Sequence, residues 1–298
     1  MTPLALGTIA CSWEENGAMV PGGKRVSATR WIGYTLALSL SLAACAGQNV
    51  ASSAGAATAA TVRFTETAAP PGVDVPGAQW VTISGAGGRS DNLQLAAVLR
   101  PSGSGPLPLV VWLHGAGPGF VSAEVSAATH LAAGGFIVIV GCWTTSAAEP
   151  VAIGGASIPR VPCLQNFASA DEATQALIEA GQQLPGVRKG NIGLLGVSVG
   201  GTQALRFTSN RTGVGAVVVD SSPRGQTKLT MPVLILGGTE DPTVSIDEQR
   251  TYEQTLRDSG TTVESHYYEG GGHAVTVVGD FQLDAFSRII DFYRRYLK

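Results

Sequence analysis

Short runs of apolar, often β-branched residues alternate with helical stretches along most of the chain, and this alternation restricts the folds it can adopt. The apolar runs lie at 108–113, 136–141, 191–197, 214–219, 232–236 and 262–268. Helical composition or periodicity marks 122–133, 169–180, 200–208, 246–258 and 280–296. Nearly continuous apolar strands are typical of a parallel sheet buried on both faces. The pattern therefore predicts a doubly wound, mostly parallel α/β sheet.

Two further extended segments, 80–84 and 93–99, precede this alternation and flank a Gly-rich turn at 85–90. They predict an antiparallel hairpin at the start of the sheet. A later connection, 221–230, joins two strands and is short. We therefore expect no large lid domain, and we assign 79–298 to a single folded domain.

The N-terminal region has the basic-then-apolar order of an export signal. Lys24, Arg25 and Arg30 precede an apolar run at 31–44 that is too short to span a bilayer comfortably. The run ends in Leu-Ala-Ala-Cys, which resembles the lipobox of bacterial lipoproteins. The resemblance implies that 1–44 is removed and that Cys45 carries lipid, anchoring the protein to the cell envelope. The alternative is an ordinary secretory signal.

Two other features of the N-terminal third bear on domain organisation. Glu14 and Glu15 lie upstream of the basic residues, which is unusual in a signal, and they suggest that translation begins at Met19. Residues 45–78 are mostly small or polar, and such a composition predicts a flexible tether.

Charge and cysteine spacing exclude several functions. The net charge is −3 and the pI is near 5.8, so no basic surface for nucleic acid is expected. The four cysteines form no Cys-x-x-Cys pair, so no metal site is expected either. Cys142 and Cys163 lie in the exported domain, where they form either a disulfide or two buried thiols.

One serine occupies a position suited to a nucleophile. The strand at 191–197 runs directly into Gly-Val-Ser-Val-Gly-Gly and then a helix, which is the strand-turn-helix setting of a nucleophile elbow. This predicts that Ser198 is the nucleophile. A serine hydroxyl needs a base to take its proton and an acid to orient that base.

The base must come from four histidines. His114 ends a strand, His130 lies in a helical stretch and His266 is within a strand, whereas His273 follows a strand on a Gly-rich loop. His273 is therefore the predicted base.

Three carboxylates compete for the role of the acid. Asp241 leaves the sheet between Ser198 and His273 in chain order and is the preferred candidate. Asp220, at the end of the preceding strand, and Glu240, one residue away, stay open as alternatives.

The segments 110–117, 196–201, 238–241 and 272–273 together resemble the α/β-hydrolase superfamily, and most of all its dienelactone hydrolase-like branch, from about 108 to the C-terminus. The resemblance implies hydrolysis of an acyl bond without a cofactor. It also implies an oxyanion hole formed by the backbone amides of Ala116 and Val199. Dienelactone hydrolases carry cysteine at the elbow, so their substrate is not transferred to a chain with Ser198.

The sequence thus predicts a serine hydrolase acting on a small-molecule carboxylic ester. The alternatives are a peptidase of the prolyl-peptidase type and a non-catalytic binding lipoprotein on the same scaffold. Phe120 and Trp143 are candidate walls of a substrate pocket, although both aromatic rings could equally pack in the core.

Overall fold

The computed structural model contains a large β-sheet with helices on both faces. The structure describes residues 61–88, 93–103, 105–116, 122–144, 151–153, 156–158, 163, 167–209, 211–222 and 224–298. The predicted signal, Cys45 and Phe120 lie outside these residues.

The described strands follow the predicted apolar runs closely. They are β1 Arg63–Glu66, β2 Ala78–Ser84, β3 Gln94–Leu99, β4 Leu109–Leu113, β5 Ile137–Gly141, β6 Val151–Ile153, β7 Ala156–Ile158, β8 Ile192–Val197, β9 Val214–Asp220, β10 Val233–Gly238 and β11 Val263–Tyr268. The described helices are α1 Ser122–Ala133, α2 Ala170–Gln183, α3 Val199–Thr208, α4 Ile246–Asp258 and α5 Gln282–Tyr296.

The main sheet has the mixed topology that the sequence predicts. Among the described residues its nine strands lie in the order β1-β2-β3-β5-β4-β8-β9-β10-β11. The pairs from β1 to β5 are antiparallel, and those from β5 to β11 are parallel. The carboxyl ends of the parallel strands therefore meet at one edge, where ligands bind in open α/β sheets.

Two hydrophobic clusters, one on each face of the sheet, hold the layers together. Helices α1 and α5 pack on one face through residues such as Leu131 and Phe286, and α2, α3 and α4 cover the other through residues such as Leu177 and Leu256. Every residue of β4 is buried. Full burial of one Val or Leu side chain stabilises the fold by about 1.5–3 kcal/mol. Because helices cover both faces of the sheet, these strands do not alternate polar and apolar residues.

The folded domain begins earlier than predicted. Residues 63–66, assigned to the tether, form the edge strand β1, which pairs with β2 through partners such as Arg63 and Ser84. Val73 and Val75 of the same segment are buried in the core. The prediction failed because β1 is mostly exposed and lies in a stretch otherwise rich in small residues.

The connection 143–167 contains the two short strands β6 and β7, which pair with each other and not with the main sheet. Cys142, directly after β5, is joined to Cys163 by a disulfide. Between β9 and β10, the described residues contain no helix or strand. In the same described ranges, no helix is long and apolar enough to cross a membrane.

Candidate active site

Ser198 lies on a sharp turn between β8 and α3. Its backbone has φ 54° and ψ −120°, a strained conformation for a residue with a side chain. The turn requires glycine nearby, since a Cβ on Gly200 would lie 2.1 Å from the carbonyl oxygen of Leu113. The Ser198 amide donates to the carbonyl of Asp220 at 2.8 Å. These contacts hold the partly exposed Ser198 at the carboxyl edge of the sheet.

His273 and Asp241 form a hydrogen-bonded pair at this same edge. His273 Nδ1 lies 2.8 Å from Asp241 Oδ2, and the side chains are 27% and 0% exposed, respectively. The other carboxylate oxygen, Oδ1, accepts the amides of Thr243 at 2.8 Å and Val244 at 2.9 Å. Asp241 is therefore held from two sides, and its contact with Nδ1 orients the imidazole.

Backbone contacts bring the loops of this pair together. The amide of Glu240 donates to the carbonyl of Gly271 at 2.8 Å, and a Cβ on Gly238 would lie 2.0 Å from that same oxygen. The close approach of the two backbones is open only to glycine at 238. It places Asp241, the residue after Glu240, beside His273, which follows the Gly-rich run.

The alternative acids have other roles. The Asp220 carboxylate is bonded to Thr276 and Ser221, while Glu240 is exposed. Of the three candidates, the structure pairs only Asp241 with His273 among the described residues.

The remaining histidines make other contacts. His130 stacks on Phe286 with ring centroids 5.0 Å apart, and His266 on the edge strand β11 lies 4.0 Å from Asp284. Burial, with the nearby Arg288, lowers the pKa of His266, and Asp284 opposes this shift. His114 is fully buried.

His114 and Glu124 shape the loop that follows β4, and sequence reasoning assigned neither of them this role. His114 Nδ1 donates to the carbonyl of Gly115 at 2.9 Å, and the Gly115 amide donates to Glu124 Oε1 at 2.8 Å. A Cβ on Gly115 would lie 3.9 Å from Ser198 Cβ, so this loop lies directly beside the elbow. An acidic residue in the first turn of a largely apolar helix was the available signal for Glu124.

The two predicted oxyanion donors lie at the start of α3 and in the loop after β4. Val199 is the first residue of α3, so its amide has no acceptor within the helix. Ala116 follows the anchored Gly115 and is exposed. Both are backbone groups at the edge that carries Ser198, a location suited to binding a developing negative charge.

Trp143 packs in the hydrophobic cluster on the face covered by α2, α3 and α4. Its side chain is 6% exposed, and its indole N–H donates to the carbonyl of His114 at 3.1 Å. The rings of Trp143 and His114 lie 5.4 Å apart. Trp143 therefore contacts the loop after β4, and its packing agrees with the alternative in which the ring lies in the core.

Within the part of the chain that the structure describes, no hydrogen bond joins the Ser198 hydroxyl to His273. Such bonds are often long before substrate binds. No group of three or more His, Cys, Asp or Glu side chains is arranged to hold a metal ion in those same ranges.

A mostly parallel sheet covered on both faces, with a serine at the strand-to-helix turn and a His–Asp pair at the same edge, defines an α/β-hydrolase fold. The sequence profile of the Dienelactone hydrolase family matches residues 95–281. The chain belongs to that family. A comparison with curated protein sequences found no match.

Solved structures share this fold at low sequence identity. Est1E from Butyrivibrio proteoclasticus aligns with a TM-score of 0.52 and 14% identity over 74% of this chain and 98% of that one. A hyperthermophilic esterase from the archaeon Pyrobaculum calidifontis aligns with a TM-score of 0.57 and 18% identity, covering 73% and 85%. Dipeptidyl peptidase 4 from Porphyromonas gingivalis aligns at 0.55 and 15%, covering 74% of this chain and 35% of the peptidase.

Proposed function

We propose that the protein is a serine hydrolase that cleaves a small carboxylic ester or a related acyl bond. The observation that carries the proposal is the Asp241–His273 pair, which lies at the sheet edge where Ser198 is presented on a strained turn. Membership of the Dienelactone hydrolase family supports acyl-bond hydrolysis. The serine in place of that family's cysteine favours a mechanism in which a base must first activate the hydroxyl.

In the acylation step, Ser198 Oγ attacks the substrate carbonyl carbon while His273 Nε2 takes the hydroxyl proton. Asp241 stabilises the resulting imidazolium through Nδ1. The amides of Val199 and Ala116 bind the oxyanion, and one such donor is worth about 3–4 kcal/mol of transition-state stabilisation. The C–O bond then breaks, and His273 gives its proton to the leaving alcohol.

In the deacylation step, a water molecule replaces the alcohol. His273 takes a proton from the water, whose oxygen attacks the acyl carbon and forms a second oxyanion at the same amides. Collapse of this intermediate returns the proton to Ser198 Oγ and releases the carboxylic acid. The enzyme is then restored without any net change.

A panel of p-nitrophenyl esters with acyl chains of increasing length tests this proposal, and p-nitroanilides in the same panel test the peptidase alternative. Ser198→Ala and His273→Ala should each lower kcat/KM by a factor on the order of 10³ or more. Ser209→Ala and His266→Ala are matched controls, because Ser209 bonds to the carbonyl of Arg206 at the end of α3 and His266 lies within β11 near Asp284. Equal ester turnover by Ser198→Ala and the wild type would refute the proposal.

We further propose that the protein is exported and attached to the bacterial cell envelope through lipid on Cys45. The basic residues, the apolar run 31–44 and the Leu-Ala-Ala-Cys sequence support this, as does a disulfide that suits an oxidising compartment. Metabolic labelling with an alkyne fatty acid should mark the wild type and not Cys45→Ser. An unlabelled wild type in the soluble fraction would contradict the anchor.

A further inference from the structure

The carboxyl end of β9 carries three consecutive polar residues, Asp220, Ser221 and Ser222, whose side chains are buried beside the candidate active site. The proposed reaction gives none of them a chemical step. Their hydrogen bonds nevertheless reach both the loop of His273 and the turn of Ser198. We call these residues the β9 clamp.

The Asp220 carboxylate holds the segment just after His273. Its Oδ2 accepts the amide of Thr276 at 2.8 Å and the Thr276 hydroxyl at 2.6 Å. Its Oδ1 accepts the Ser221 hydroxyl at 3.0 Å. Burial raises the pKa of Asp220, and the bonds from Thr276 and Ser221 oppose that shift. A carboxylate with no exposure to water is kept only where donors satisfy it, and here three do.

Ser221 makes the contact nearest to His273. Its hydroxyl donates to Asp220 and accepts the amide of Ala274 at 2.9 Å. Ser221 and Ala274 have φ values of 55° and 62°, in the left-handed region that non-glycine residues seldom adopt. The hydrogen bond therefore joins two strained backbone positions, one of which directly follows His273.

Two of the three clamp residues, Asp220 and Ser222, also hold the nucleophile turn. The carbonyl of Asp220 accepts the amide of Ser198 at 2.8 Å, and the hydroxyl of Ser222 donates to the carbonyl of Ser198 at 2.5 Å. The backbone on both sides of the Ser198 side chain is therefore tied to the β9 clamp. The clamp links the two loops that must bring a hydroxyl and an imidazole together.

We propose that Asp220 and Ser221 are positioning residues for His273, holding 274–276 so that the imidazole is aligned with Ser198. The inference rests on the proposed serine hydrolase function and adds a second buried carboxylate to it. Asp241 orients the ring through one nitrogen, whereas the clamp fixes the backbone from which the ring projects. Neither Asp220 nor Ser221 is placed to touch substrate.

Fixing the backbone matters because the bond to Asp241 is the one hydrogen bond that the described residues give the imidazole, and a single bond leaves the ring free to shift. No hydrogen bond joins Ser198 to His273 in the described part of the resting structure, so that contact does not supply the alignment. A displacement of about 1 Å between reacting groups can cost on the order of 100-fold in rate. Loss of the clamp should therefore lower kcat and leave KM nearly unchanged.

Paired substitutions at Thr276 and Asp220 test the inference in the full-length protein. Thr276→Val removes one donor to Asp220 and keeps the side-chain shape, and it should lower kcat on the order of 10-fold, whereas Thr276→Ser should restore it. Asp220→Ala should lower kcat on the order of 100-fold. Asp220→Asn should retain most activity, because its oxygen can accept both Thr276 donors while its NH₂ group donates to Ser221.

Thr208→Val is the matched control, since Thr208 is equally buried and, among the described residues, its hydroxyl bonds only to helix carbonyls. Each variant is measured for kcat and KM on one p-nitrophenyl ester and for hydrogen exchange of the amides of Ala274 and Thr276. The expected result is a fall in kcat with faster exchange of these two amides, absent from Thr208→Val. If Asp220→Ala does not fold, Thr276→Val and Thr276→Ser decide the question.

Three results would overturn the inference. When the wild type is active, the first such result is an unchanged kcat in both Thr276→Val and Asp220→Ala. The second is a change in KM of these variants without a change in kcat. An inactive wild type would refute the proposed function instead, and the exchange data would then decide the inference alone. The third result is unchanged protection of Ala274 and Thr276 in the variants, which would show that the clamp does not hold this segment.

Discussion

The substitution Asp241→Asn tests the orientation of His273 in detail, because the structure dictates how the asparagine must sit. The amides of Thr243 and Val244 both donate to Oδ1 of Asp241. An asparagine has one oxygen, and these two donors hold it at that position. Its NH₂ group therefore faces Nδ1 of His273, which must become the acceptor. The imidazole proton then lies on Nε2, which can no longer take the proton of Ser198.

The size of the effect follows from the loss of the correct tautomer. Removing it while the geometry is kept lowers kcat by a factor on the order of 10⁴, equivalent to about 5.5 kcal/mol in the activation barrier. Stability should change little, because the asparagine keeps the two backbone donors and a contact with His273.

The assay is single-ester kinetics with the melting temperature measured in parallel. Glu240→Gln is the matched control, since it makes the same chemical change in the exposed neighbouring residue and should leave kcat unchanged. If Asp241→Asn, folded as the wild type, retains kcat to within about 10-fold, the assignment of Asp241 as the orienting acid is wrong.

Three further predictions concern stability, each measured by urea denaturation. Replacing Cys142 and Cys163 together by serine should cost about 3 kcal/mol, because the disulfide closes a loop with a sequence separation of 21; an unchanged midpoint would contradict this. Gly200→Ala should destabilise by about 3 kcal/mol or prevent folding, because its Cβ would lie 2.1 Å from the Leu113 oxygen; a stable, active variant would show that the turn can relax. Burial raises the pKa of Asp220 above its ordinary 3.8, so the folded state binds this proton more tightly than the unfolded state. The stability of the wild type relative to Asp220→Asn should therefore be greatest below that pH and fall as pH rises through the raised pKa, and a rise over that range would contradict the assignment.

Much of the fold could be predicted because the buried strands are apolar without interruption. The bounds of α1 and α4 match the predicted 122–133 and 246–258, and the parallel strands differ from their predicted bounds by one or two residues. In α4 the local chemistry is also clear, since Ser245 and Glu248 form a capping box at its start. The hydrophobic pattern and the capping signal agree for α4, so the sequence alone is sufficient to predict the bounds of this helix.

Edge elements could not be predicted in the same way. The strand β1 buries little of its surface, and it is held by its pairing with β2 and by the packing of Phe64 against the core. A strand of four mostly exposed residues has no strong periodicity to read. The short strands β6 and β7 have three residues each and pair only with each other among the described strands, so neither is long enough to give a clear period.

Some features of the candidate site could likewise be predicted from the sequence, and others could not. The chain order of Ser198, Asp241 and His273, and the turn residues around them, are visible in the sequence. The choice among three carboxylates required the geometry, since Asp220 ends β9 and Asp241 follows β10 at the same edge. The role of Asp220 depends on Thr276, which is 56 residues away in the chain, and only the fold brings the two together.

Covalent labelling tests the central claim most directly, because it identifies the nucleophile without knowledge of the substrate. The full-length protein is treated with a fluorophosphonate, and the modified residue is located by peptide mass spectrometry. A single adduct on Ser198, absent from Ser198→Ala and strongly reduced in His273→Ala, is the predicted result. An adduct on another serine, or equal labelling of Ser198→Ala, would contradict the assignment of Ser198 as the nucleophile.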